Sequence, residues 1–232
     1  GASGPSYTVT AADVTTYQSY VAQDGSTVQV NVGEQLTEYQ ALEAMMLPSA
    51  NNIADSLAAW VFGSHDAYAA YATAFLQSHG LNQTHVGSDA SGFDPSTTST
   101  ASDLTALGLL ALKSPVLMSI AGEKSADLPV AGTVRNYDEV LGQNGITGLK
   151  TGNNDADPGA FLFTGSATIG GKTIPLAGRR HGRPGPAHGA AGWQQPEQFA
   201  AAEFRASHCG YGRPSGRQAH DRLGPIGTDH GR

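Results

Sequence analysis

The chain has 232 residues, 39% hydrophobic and 14% charged, with a net charge of −7 at neutral pH. That length suits one domain or two small ones, and no apolar run approaches the ~18 residues of a membrane-crossing helix. Its one cysteine, Cys209, excludes an intrachain disulfide.

The charge is unevenly spread. Residues 1–178 carry five Lys and Arg against sixteen Asp and Glu, whereas residues 179–232 carry eight Arg against four acids. The acidic body argues against nucleic acid as a partner. The Arg residues that follow are scattered rather than grouped on a helix face, a weak nucleic-acid signal. The first residue is Gly1 rather than Met, which implies a processed or truncated product. The lack of a signal peptide therefore says little about localisation.

Period-two patterning predicts strands at 7–10 and 27–32. Thr37 and Gln40 form a capping-box pattern opening a helix over 38–47. A second helix is expected over 52–62, ending at Gly63, and a third opens at Ser64 or Asp66 and stops at Gly80. The Tyr68, Tyr71 and Phe75 stripe on that third helix reads as core. Thr100 and Asp103 repeat the capping-box pattern ahead of Leu104, Leu107 and Leu110. Further strands are predicted at 128–134, 146–151, 160–168 and 172–177, the last two as a hairpin turned by Gly170-Gly171. Strands early, helices in the middle and strands late imply an α+β fold whose sheet joins distant parts of the chain.

At Arg179 the texture changes. Residues 179–232 hold one Leu, one Ile, two Phe and no Val, too few large apolar side chains to offset the ordering entropy of so long a segment. We expect a body over 1–178 and a basic, coreless tail over 179–232. A reading-frame shift in a GC-rich gene gives such a composition; a disordered linker and a folded subdomain are the alternatives.

Two polar stretches carry the chemistry. Residues 47–57, LPSANNIADSL, interrupt an apolar helical run. Pro48 ends one helix, and Ser49, Asn51 or Asn52 would cap the next. Residues 145–154, GITGLKTGNN, place Lys150, Thr151 and Gly152 together. Gly lets a substrate backbone approach closely, while Lys and Thr offer an ammonium and a hydroxyl to an anion.

LPSANNIADSLA, VGSDASGFDPSTTSTASDLTAL and NGITGLKTGNN resemble, in order and approximate spacing, the serine-type D-Ala-D-Ala carboxypeptidases, the low-molecular-mass penicillin-binding proteins. The likeness spans roughly residues 6–178. It implies the penicillin-recognising fold, an antiparallel sheet with a helical cluster, in which a serine attacks the penultimate D-Ala carbonyl and water hydrolyses the acyl-enzyme. It makes the polar interruption one wall of an active site, with Ser49, Asn51 and Lys150 converging on one cleft.

The resemblance assigns roles residue by residue. Ser49 would relay a proton toward the leaving amine and Asn51 would bond the substrate amide. Lys150 would hold positive potential beside Ser49. Thr151 and Gly152 would receive the substrate's terminus, and the Asn153 amide would supply one oxyanion donor. No cofactor or metal is implied. The implied partners are peptidoglycan stem peptides ending in D-Ala-D-Ala, with β-lactams as inhibitors of the family, and an extracytoplasmic location.

One departure is decisive. The family's nucleophile sits in Ser-x-x-Lys, and the residues three before Lys113, Lys124, Lys150 and Lys172 are Leu110, Ala121, Thr147 and Ile169. The chain is therefore expected to be inactive as it stands. A β-lactamase of the same fold and a non-catalytic remnant that binds peptides are the competing functions. His65, His79 and His85 lack ligand spacing, and the calcium-like run from Asn154 to Gly159 has Ala156 and Pro158 at ligand positions.

Overall fold

The computed structural model describes residues 3–153, 159–169 and 171–180. The segment from 181, and with it nearly all of the expected coreless tail, lies outside the described residues, as does Gly170.

The chain enters through β1 (Ser6–Thr8) and α1 (Ala11–Val21). The sequence reading missed this helix because Thr, Tyr and Val within it favour strands. Thr10 caps it through a capping box with Asp13. β2 (Gln35–Thr37) pairs antiparallel with β1, Leu36 opposite Tyr7. The Thr37–Gln40 box then opens α2 (Glu38–Met46), as its sequence predicts. α3 (Asn51–Phe62) stops at Gly63, whose φ of 83° is the left-handed conformation a helix stop needs. α4 (His65–Ser78) is capped by Ser64.

α5 (Ala101–Ala111) has its Thr100 cap, but the Asp103 carboxylate bonds the Gln83 amide and the Thr84 hydroxyl instead of reaching back to the cap. α6 (Pro115–Ala121) follows, capped by Ser114 with Pro115 at its first turn. The strand expected at 128–134 is two strands, β3 (Ser125–Leu128) and β4 (Gly132–Arg135), with the turn inside the predicted span. Last come β5 (Ile146–Gly152), β6 (Ala160–Ile169) and β7 (Lys172–Arg180), an antiparallel sheet in that order. β7 continues through Arg179 and Arg180, opposite Leu162 and Phe161. Pairing thus extends past the point where the composition changes.

Three expectations are corrected. The early strands pair with each other and do not join the late sheet among the described residues. The segment 27–32 is not a strand, although Val28 and Val30 alternate inward and are buried. Its ladder partner is a side chain: Asn52, fully buried, accepts from the Val28 amide at 3.1 Å and donates to the Val28 carbonyl at 3.0 Å. The aromatic stripe of α4 is not core, since Tyr71 and Phe75 are 58% and 37% exposed.

The main core gathers Val9, Val28, Val30, Leu36, Ala41, Ala44 and Ile53 around the first strand pair and helices α2 and α3. α5 covers the late sheet at close range because Gly108 has no side chain. A Cβ there would lie 3.1 Å from that of Ala177 and 3.2 Å from Leu162 Cδ1. Among the described residues no single helix is long and apolar enough to cross a membrane.

Candidate active site

The site forms where α2 breaks into α3. Pro48 has no amide hydrogen to continue α2, and the Ala50 amide closes the end by donating to the Ala44 carbonyl at 3.4 Å. Ser49, between them, sits at φ 60°. That left-handed conformation costs a non-glycine residue roughly 1–2 kcal/mol and persists only where surrounding structure imposes it. The polar cluster does not cap α3. Its N-cap is Ala50, with no side-chain bond, and the Asn51 amide donates instead to the Ser26 carbonyl at 2.8 Å. Freed from capping, Ser49 and Asn51 both contribute to the wall of a cavity.

The opposite wall comes from β5. A register shift between Ile146 and Gly148 bends the strand. Gly148, at φ 128°, lets it pass against Ala121, where a Cβ would lie 2.9 Å away. Two residues on, Lys150 reaches the same cavity, about 180 Å³ in volume, and its Nζ donates to the Thr151 carbonyl at 2.8 Å. Burial pushes its ammonium down to about 8, against the pull of Asp138, which favours the charged form.

Met45, Met46 and Ala54 floor the cavity, and Ala90 and Ser91 complete it. These last two lie on a loop organised by carboxylates. Asp89 accepts from the amides of Ser91 at 2.8 Å and Gly92 at 2.6 Å. Asp55, buried on α3, accepts from the Ala90 amide at 2.8 Å and the Tyr20 hydroxyl at 2.7 Å. Tyr20 in turn lies 3.3 Å from the Ser91 hydroxyl. Sequence reasoning missed Ser91, Asp55 and Tyr20. Ser91 and Asp55 lie inside family-like stretches, but nothing in the residues themselves placed Ser91 in one cavity with Lys150.

The structure brings Ser49, Asn51 and Lys150 together. Thr151, Gly152 and Asn153 continue along and just past β5, outside the wall of this cavity, with Thr151 and Gly152 half-buried and Asn153 exposed. β5 pairs with β6 on one side and with no strand on the other among the described residues. Nor do these residues hold any group of three His, Cys, Asp or Glu placed for a metal.

Helical cluster, antiparallel sheet and a cleft between α3 and β5 define the penicillin-recognising fold. A Streptomyces DD-transpeptidase variant superposes with a TM-score of 0.70 at 20% identity, over 88% of this chain and 80% of that one, and shows the fold alone. The D-alanyl-D-alanine carboxypeptidase family model, peptidase family S11, matches residues 5–177, and the chain belongs to that family. It is 33% identical over 157 residues to the D-alanyl-D-alanine carboxypeptidase DacB2 of Mycobacterium tuberculosis, 65% of this chain and 53% of that protein. The chain thus spans about half the length of this curated relative. The crystal structure of a D-alanyl-D-alanine carboxypeptidase from the same organism matches at TM-score 0.70 and 28% identity, over 92% of this chain and 76% of that one.

Proposed function

We propose that the protein is a serine-type D-Ala-D-Ala carboxypeptidase of peptidoglycan metabolism, removing the terminal D-Ala of stem peptides through an acyl-enzyme. The observation that carries this reading is the meeting of Ser49 and Asn51 with Lys150 in one cavity of a family member. A lysine poised near 8 exchanges protons close to neutral pH. It can pass a proton through the Ser49 hydroxyl toward the leaving amine while Asn51 holds the substrate amide. The edge of β5 that pairs with no strand among the described residues suits an extended peptide laid alongside it. In that pose Thr151 would take the terminal carboxylate, Gly152 would allow the close approach, and the Asn153 amide would face the oxyanion. Such a substrate places the work outside the cytoplasm, and β-lactams would occupy the same cleft.

The acylated serine belongs to a Ser-x-x-Lys motif that these 232 residues do not contain. Losing the nucleophile of a serine hydrolase costs on the order of 10⁶ in rate. Incubation with a penicillin and intact-mass spectrometry tests the reading. We expect no adduct on the 232 residues and one adduct on a gene product extended upstream to include the motif. An adduct on Ser49 itself, or none on a folded extended product, overturns it. The second outcome would favour a non-catalytic peptide binder.

A further inference from the structure

Tyr20, near the end of α1, is 7% exposed and touches the supports of two cleft residues at once. Its ring packs on Gly25, where a Cβ would lie 3.1 Å from Tyr20 Cδ1 and 3.2 Å from Asn51 Oδ1. Gly25 is thus the narrow gap between that ring and the Asn51 side chain, and its amide donates to the Tyr20 carbonyl at 2.9 Å. Phe93, from the loop that carries Ser91, meets the same ring edge-on with centroids 5.3 Å apart.

The hydroxyl reaches further. It donates its single proton to Asp55 Oδ2 at 2.7 Å. Burial foremost, and the Asp55 carboxylate with it, raises the proton affinity of this hydroxyl above that of an ordinary tyrosine, against the pull of Ser91. With that proton committed, Tyr20 Oη accepts at its 3.3 Å contact with Ser91 Oγ. The Ser91 proton then has two acceptors, Tyr20 Oη and Asp89 Oδ1 at 3.0 Å, while the Phe93 amide donates to Ser91 Oγ at 3.2 Å. Its proton spent inside the protein, Ser91 keeps acceptor capacity alone for the cavity it shares with Ser49, Asn51 and Lys150. Such a group recognises an N–H donor.

We propose that Tyr20 is a positioning residue of this cleft: anchored on Asp55, its hydroxyl orients Ser91 as an acceptor for a ligand N–H. That the donor is a peptide amide of the substrate rests on the D-Ala-D-Ala reading. Tyr20 is not part of the cavity wall and acts through Ser91.

The test reads the Ser91 side chain through NMR couplings in the full chain, without ligand. We expect one χ1 rotamer in the native protein and averaging among rotamers in Tyr20→Phe, which keeps the ring and its packing. An averaged Ser91 in the native chain overturns the proposal with no variant needed. So does an unchanged rotamer in folded Tyr20→Phe protein. A second arm titrates an N-acetylated peptide ending in D-Ala-D-Ala. Tyr20→Phe and Ser91→Ala should each weaken its binding about three- to tenfold, the effect of one neutral hydrogen bond. The double variant should lose no more than either alone, and additive losses overturn the proposal. A fixed, Tyr20-dependent Ser91 in a chain that does not bind the peptide supports the positioning role and overturns the D-Ala-D-Ala reading instead.

Discussion

The Tyr137 amide donates to the Leu47 carbonyl at 3.0 Å, joining the loop that carries Asp138 to the chain just before Ser49. The loop that leads into β5 is therefore tied by backbone to the end of α2, next to the first polar stretch of the cleft. Disturbance of the 136–141 loop should be felt at Ser49.

Ser49 holds φ 60° without being glycine. Ser49→Gly and Ser49→Ala both remove the hydroxyl, so their difference isolates backbone strain. We expect the glycine variant to be more stable than the alanine variant by about 1 kcal/mol in urea unfolding. Equal stabilities would mean the chain relaxes out of the left-handed region when the hydroxyl goes.

Asn52 serves as the ladder partner of Val28 through two hydrogen bonds. Asn52→Leu keeps the volume but leaves a buried amide and a buried carbonyl unpaired, at a cost of roughly 2–4 kcal/mol. Hydrogen exchange at the Val28 amide should rise with the loss of stability. A loss below about 0.5 kcal/mol would show that 27–32 is held by packing alone.

Lys150 has a folded-state midpoint near 8, below its ordinary 10.5. Above about 8 the unfolded chain binds more protons at this position than the folded one, so folding gains stability as pH rises toward 10.5. Relative to Lys150→Met, the native chain should gain on the order of 2–3 kcal/mol between pH 7 and 10.5, measured by denaturant titration. A difference flat with pH would place the ammonium in solvent.

Glu43 on α2 is pushed up to about 7 by burial and by its bond to the Glu123 carboxyl, which also accepts from the Tyr39 hydroxyl at 2.7 Å. The folded state here binds the extra proton, so stability falls as pH rises from 4.5 through about 7. Glu43→Gln should stabilise by about 1–2 kcal/mol at pH 8, an effect discounted for partial exposure, and by little at pH 4. Equal gains at both values would leave the carboxyl pair without a role.

The sequence by itself determined the helices with strong punctuation: Thr37 with Gln40, Gly63 and Ser64 mark ends through bonds within a few residues, which short-range chemistry dictates. Motif order likewise carried the family, because LPSANN and LKTG keep their identities whatever surrounds them. Only the tertiary structure decided the rest. Whether Val28 and Val30 sit in a strand depended on Asn52, far along the chain, occupying the ladder position. Whether Ser49 or Asn51 caps a helix depended on where α3 begins: Ala50 takes the N-cap position, and the Asn51 amide bonds the distant Ser26 carbonyl. The place of Ser91 in the cleft was invisible beforehand, since a serine in a polar loop looks like a solvated residue. Burial of Lys150 and its meeting with Ser49, Asn51 and Ser91 in one cavity are properties of the packed chain rather than of any local pattern.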